Sequence, residues 1–190
     1  MARGASPKTR PPPRTRAVVK GQWRRLHQED LCQALRVPPS KKYQRLDGGP
    51  GVADIAGLMR SLPSAADRRS AGTAFSRALV VNVIAGCTDA HAKNNSLMLE
   101  RRSVRLAPLY DLLSYAAYSD GSASIDSAMS VGGDYRLRRI SAAKLERAGA
   151  MFGVDAAEAA EIVDTTRKGL RPAVADELLL GLRKLPLALT

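Results

Sequence analysis

Cysteine and histidine are scarce in this sequence, with two residues of each among 190. Cys32 and Cys87 form no C-x-x-C pair, and no cluster of histidines accompanies them. The sequence therefore indicates neither a zinc site nor a disulfide framework. A single bridge is compatible with the count, but two free thiols are the expectation for a protein of a reducing compartment.

Long hydrophobic runs are absent as well. Residues 1–16 contain no apolar core of a signal peptide, and no later segment has the length of a transmembrane helix. Pro11-Pro12-Pro13 prevents the amphipathic helix of a transit peptide. We therefore predict a cytoplasmic protein without a membrane partner, with residues 1–16 as a disordered basic tail and residues 17–190 as one folded domain.

Acidic residues are few relative to basic ones: 18 Asp and Glu stand against 30 Lys and Arg, for a net charge of +12. Residues 1–45 hold twelve of the bases and only two acids, Glu29 and Asp30, so most of the excess charge lies there. This asymmetry fits a polyanionic partner such as nucleic acid, and it also fits a merely solvated tail. We favour the solvated tail.

The stretch from Thr88 to Asp111 carries most of the predicted chemistry. Asp89 and Asn94 stand five positions apart, as do the catalytic Asp and the metal-binding Asn of the kinase motif H-R-D-x-x-x-x-N. Residues 96–99 and 104–106 have the composition of two short strands joined by a polar turn. Such a hairpin returns the chain to its start, which predicts that Asp111 lies near Asn94.

These three residues suit phosphoryl transfer. Mg²⁺ in such sites is held by one or two carboxylates together with phosphate oxygens and water, and Asn94 and Asp111 offer hard oxygen ligands. Asp89 would then orient the acceptor hydroxyl. The alternative interpretation is structural, because Asp and Asn also favour turns and helix caps.

Four motifs in order resemble the C-terminal kinase lobe of the HipA family, the bacterial serine/threonine kinase toxins of toxin–antitoxin systems. They occupy residues 25–30 (RLHQED), 42–50 (KY followed by DGGP), 88–94 (TDAHAKN) and 106–111 (LAPLYD). The similarity extends from about Arg24 to the C-terminus. Four ordered motifs are more specific than any single one.

The resemblance implies a role for each site residue. Asp89 is expected as the catalytic base, and Asn94 and Asp111 as ligands of Mg²⁺. The expected nucleotide contacts are His91, Lys93, Asn94, Tyr110 and Asp111. ATP and Mg²⁺ are the implied cofactors, a protein is the implied substrate, and a HipB-like antitoxin is an implied partner, with DNA contact through that complex or the basic tail.

The predicted fold is mainly α-helical with short β-hairpins, a protein-kinase-like C-lobe whose N-lobe is missing from this sequence. Residues 1–23 cannot supply a phosphate-covering loop, a phosphate-binding lysine and an adenine hinge. We therefore expect a kinase lobe that is inactive until a separately encoded N-lobe completes it. Two alternatives stay open: a non-catalytic remnant that binds an antitoxin or DNA, and, less favoured, a nuclease.

Hydrophobic periodicity and turn residues place the secondary structure. We expect hairpins over 17–26 and 129–137, a loop over 41–52 whose glycines make turns rather than a phosphate loop, and core packing of residues 112–118. His27 is expected to cap or pack rather than to act in catalysis. The expected helices cover residues 28–36, 54–62, 67–85, 141–152 and 174–185, with a further helix that begins at Asp155.

Overall fold

The computed structural model describes residues 16–19, 21–119 and 124–170. Residues 1–15 of the predicted tail and the helix expected over 174–185 lie outside the described residues. The described strands are β1 Arg16–Val19, β2 Gln22–Arg25, β3 His27–Asp30, β4 Ser96–Glu100, β5 Ser103–Leu106, β6 Asp126–Val131 and β7 Asp134–Arg136. The described helices are α1 Leu31–Ala34, α2 Gln44–Asp47, α3 Val52–Arg60, α4 Ala65–Ile84, α5 Ala142–Met151 and α6 Ala156–Leu170.

The strands form three small antiparallel sheets, ordered β1-β2, β3-β4-β5 and β6-β7. The three predicted hairpins are confirmed. The β4-β5 hairpin closes where Glu100 pairs with Ser103, and its far end pairs Leu97 with Leu106. This pairing returns the chain to the region of Asn94, as the sequence predicts.

Helix α4 is the centre of the core. It packs against α3, α5, α6 and β5. Its apolar face is buried and includes Phe75, Leu79, Val80, Val83 and Ile84. The Phe75 ring lies 5.0 Å from that of Phe152 at the end of α5. Gly86, with φ of 70°, follows the end of α4. A helix fixed on several sides thus determines where the next segment, residues 88–94, begins.

The predicted helix over 28–36 is wrong in its first half. Residues 27–30 form strand β3, which pairs His27 with Leu99 and Asp30 with Ser96. Helix α1 starts only at Leu31, where Asp30 accepts a hydrogen bond from the backbone N–H of Gln33 at 2.8 Å and its own N–H donates to the Gln33 side chain. The local periodicity indicated a helix, whereas pairing with a distant strand decided the structure.

Residues 112–118 lie largely outside the core, contrary to expectation, although Ala116 is buried in it. Leu112, Leu113 and Tyr115 are exposed, and Tyr118 is 74% exposed. The backbone holds the segment instead: the N–H of Tyr115 donates to the carbonyl of Gly86 at 2.9 Å. The apolar composition of this segment predicted burial, whereas main-chain hydrogen bonds hold most of it at the surface.

The loop expected over 41–52 is also only partly irregular, because it contains the short helix α2 and a 3₁₀ turn ending at Lys41. Both cysteines are buried free thiols. Within the described ranges, no helix is long and apolar enough to cross a membrane.

Candidate active site

A cavity of about 900 Å³ opens between strand β3 and the segment that follows α4. All six residues predicted for the site line it: Asp89, His91, Lys93, Asn94, Tyr110 and Asp111. The sequence predicted that Asp111 lies near Asn94 although 17 positions separate them. The structure brings them to one cavity.

Residues 88–94 are fixed by hydrogen bonds within the segment. The carbonyl oxygen of Asp89 accepts two of them, from the N–H of His91 at 2.9 Å and from Nδ2 of Asn94 at 2.9 Å. Asp89 and Asn94 are thereby held in a fixed relation. The NH₂ group of an amide only donates, so Oδ1 is the atom of Asn94 that can bind a metal ion, and the bond at Nδ2 sets its orientation.

A second anchor is Asn95, which sequence reasoning missed. Its Nδ2 donates to the carbonyl of His91 at 3.1 Å, and its own carbonyl accepts from the N–H of Leu31 at 2.9 Å. Asn95 is buried. It therefore connects residues 88–94 to the start of α1.

Tyr110 fixes the position of the segment that carries Asp111. Its hydroxyl donates to the carbonyl of Lys93 at 3.0 Å and lies 2.7 Å from Oγ of Ser96. Burial raises the pKa of Tyr110, so the phenol keeps its proton. Asp111 follows in a left-handed conformation, with φ of 55°. With its hydroxyl engaged, Tyr110 offers the cavity mainly its ring.

Asp89 presents one of its carboxylate oxygens to protein partners. The hydroxyl of Tyr43 donates to Oδ1 at 2.5 Å, and Nε2 of His91 lies 3.7 Å from the same atom. Oδ2 accepts no hydrogen bond from any described residue, and the side chain is 44% exposed. The described residues thus leave this second oxygen free.

His91 is a buried imidazole whose charge is set by its surroundings. Burial lowers its pKa, and the nearby carboxylate of Asp89 only partly opposes this effect. It is therefore neutral at neutral pH. The ring of Tyr43 meets it edge-on, with centroids 4.8 Å apart and planes at 81°, and its Nδ1 has no partner in the described part of the chain.

The metal-binding capacity of the cavity rests on few ligands. Among the described residues, no group of three or more His, Cys, Asp or Glu gathers at metal-binding distance. Asn94 and Asp111 provide one amide oxygen and one carboxylate. This donor set fits Mg²⁺, which keeps several waters and completes its shell with substrate phosphates, and does not fit a metal that needs an all-protein cage.

Basic side chains supply positive charge along the same cavity. Arg25, Lys42 and Lys93 line it, as does His27. The prediction that His27 caps or packs is wrong, because it lies exposed on β3. Cations around a polar cavity are suited to phosphate groups.

Comparison with known proteins places the chain in a family. Residues 14–174 match the family of HipA-like C-terminal domains. The chain belongs to this family, as its motifs indicated.

Two of its relatives are a putative kinase, Y4mE of Sinorhizobium fredii, and the serine/threonine-protein kinase toxin HipA of Shewanella oneidensis. Y4mE is 38% identical over 131 residues, which are 68% of this chain and 28% of Y4mE. The HipA toxin is 36% identical over 114 residues, which are 55% of this chain and 26% of the toxin. The matched region thus spans little more than a quarter of either relative.

A solved structure shows the same fold. It is the complex of Shewanella oneidensis HipA and HipB with operator DNA, matched with a TM-score of 0.70 at 20% identity. The match covers 92% of this chain and 45% of the other.

Proposed function

We propose that this chain forms the Mg²⁺- and acceptor-binding lobe of a HipA-type, ATP-dependent serine/threonine protein kinase. The observation that carries the proposal is the single cavity lined by Asp89, Asn94 and Asp111. Asp89 and Asn94 have the types and spacing of a kinase catalytic loop, and Asp111 adds a second oxygen ligand for a metal ion. Relatives named as kinases support the assignment.

Each residue has a defined task in this proposal. Asn94 through Oδ1 and Asp111 through its carboxylate would hold Mg²⁺, which neutralises charge on the phosphates when bound. Lys93, with His91 and Tyr110 beside it, would contact the nucleotide. Asp89 would accept a hydrogen bond from the acceptor hydroxyl at its free Oδ2, which orients that oxygen toward the γ-phosphorus.

We further propose that the 190-residue chain transfers phosphate poorly unless an N-terminal lobe is added. Phosphoryl transfer depends on positioning and on charge stabilisation, and the described residues that line the cavity include no glycine-rich loop. Each lost charge contact of this type costs roughly two to three orders of magnitude in rate.

The proposed partners follow from the structural neighbour, which was solved with HipB and operator DNA. We propose a HipB-like antitoxin as partner, DNA contact through that complex, a protein as phosphate acceptor, and a cytoplasmic location. The second candidate function is a non-catalytic module that binds an antitoxin or DNA. The excess of basic residues over 1–45 favours it.

Incubation with Mg²⁺ and γ-³²P-ATP tests the kinase proposal. The purified chain would be assayed for autophosphorylation and ATP turnover, alone and with a separately produced N-terminal lobe of the Sinorhizobium relative. We expect Mg²⁺-dependent transfer in the mixture and little from the chain alone. Strong transfer by the chain alone would contradict the need for a lobe, and no transfer by folded protein in either arm would contradict the kinase proposal and favour the binding module.

A further inference from the structure

Tyr43 contacts Asp89 from a part of the chain 46 residues upstream. Its hydroxyl donates to Oδ1 at 2.5 Å, a short bond of the type that charged acceptors form. His91 packs edge-on against the ring of Tyr43, with the two ring centroids 4.8 Å apart. The amine of Lys42 lies 4.8 Å above the same phenol ring. The ring is thus located by two neighbours besides the carboxylate.

The backbone of Tyr43 is held independently of the cavity. Its N–H donates to Oδ2 of Asp47 at 3.2 Å, and its carbonyl accepts from the N–H groups of Asp47 at 3.1 Å and Gly49 at 3.0 Å. A Cβ on Gly49 would lie 2.1 Å from the carbonyl oxygen of Lys41, which no side chain tolerates. The turn that the sequence indicated for this glycine-rich stretch therefore fixes Tyr43 in place.

From this geometry, and resting on the proposed kinase function, we propose that Tyr43 is a positioning residue for Asp89. By occupying Oδ1, it prevents the carboxylate from rotating and leaves Oδ2 directed to the acceptor hydroxyl. Without the phenol hydroxyl the two oxygens become interchangeable, and only His91 at 3.7 Å remains beside Oδ1. The residue does not touch the nucleotide in this account, so its effect falls on turnover rather than on ATP affinity.

The kinetic test uses Tyr43→Phe, which keeps the ring against His91 and removes only the hydroxyl. In the protein preparation that shows Asp89-dependent transfer, we expect kcat to fall roughly ten- to a hundredfold, the size of one hydrogen bond to a charged group, with the KM for ATP unchanged. Tyr135→Phe is the matched control, because its ring lies under the guanidinium of Arg45 at 5.4 Å and outside the cavity lining. An unchanged kcat in Tyr43→Phe, or a rise in KM alone, would overturn the proposal.

A second measurement does not require turnover. The hydrogen bond to Asp89 raises the pKa of Tyr43 to about 12, since the carboxylate stabilises the protonated phenol. In ¹³C-tyrosine NMR titrations, Asp89→Asn should move the pKa of Tyr43 down toward the ordinary phenol value of about 10. The same pKa of Tyr43 in the unmodified chain and in Asp89→Asn would contradict the hydrogen bond between Tyr43 and Asp89. Failure of all phosphate-transfer assays would instead contradict the proposed function, so the two failures are distinguishable.

Discussion

Replacing Asp89 by asparagine is expected to reduce phosphate transfer by roughly two to four orders of magnitude, the contribution of a well-placed general base. The substitution keeps the size of the side chain and leaves an oxygen for the Tyr43 hydroxyl. It removes the negative charge that polarises the acceptor hydroxyl at Oδ2. Initial rates with γ-³²P-ATP, measured in the presence of the N-terminal lobe, give the comparison.

Asp164→Asn is the matched control for this substitution. Asp164 is 43% exposed, nearly the same as Asp89, and it pairs with Lys168 on α6 outside the cavity lining. We expect its rate to equal that of the unmodified chain. Equal rates for Asp89→Asn and the unmodified chain would remove Asp89 from the catalytic machinery.

The second large effect is on stability. Phe75→Ala is expected to lower the free energy of unfolding by about 3–5 kcal/mol, because a buried ring in contact with Phe152 leaves a cavity inside the main helix cluster. Domains of this size are typically stable by only about 5–15 kcal/mol, so the loss is severe. Urea unfolding followed by circular dichroism measures it.

Leu46→Ala provides the comparison for the core substitution. Leu46 lies on α2 and is 79% exposed, so its removal should change the unfolding free energy by less than about 0.5 kcal/mol. A small effect of Phe75→Ala, or an effect of Leu46→Ala as large, would contradict the described core.

The gathering of Asp89, Asn94 and Asp111 could be predicted because it depends on local rules. The five-residue spacing places the first two on one short loop, and the β4-β5 hairpin returns the third without any long-range pairing. Hydrogen bonds from the Tyr110 hydroxyl to Lys93 and Ser96 then hold the returning chain beside residues 93–96. This part of the site could be predicted because its residues are close in sequence.

Tyr43 and Asn95 were not predicted as site residues for the opposite reason. The contact between Tyr43 and Asp89 spans 46 residues, and no periodicity within either segment indicates it. The sequence contains one indication of Tyr43: the Lys42-Tyr43 pair belongs to a motif of the HipA family. The resemblance assigned no role to this pair. Asn95 resembled any other polar turn residue until its bond to the carbonyl of His91 was seen.

Strand β3 and residues 112–118 show the limit of composition. His27–Asp30 is polar and became a strand only because β4 offers it an edge. Residues 112–118 are apolar, yet their position is set by a main-chain hydrogen bond to Gly86 and by a β-bridge between Ser114 and Cys87. In both segments, hydrogen bonds to distant backbone outweighed local preference.

The central claim, one metal site formed by Asn94 and Asp111 beside Asp89, is tested most directly by Mn²⁺, a paramagnetic stand-in for Mg²⁺ at oxygen ligands. Added to the ¹⁵N-labelled chain, it should broaden the amide signals of Asn94 and Asp111 and their neighbours first. Asp111→Asn should weaken this broadening. Broadening distributed over surface acids such as Asp134 and Asp164, and unchanged in Asp111→Asn, would contradict the account.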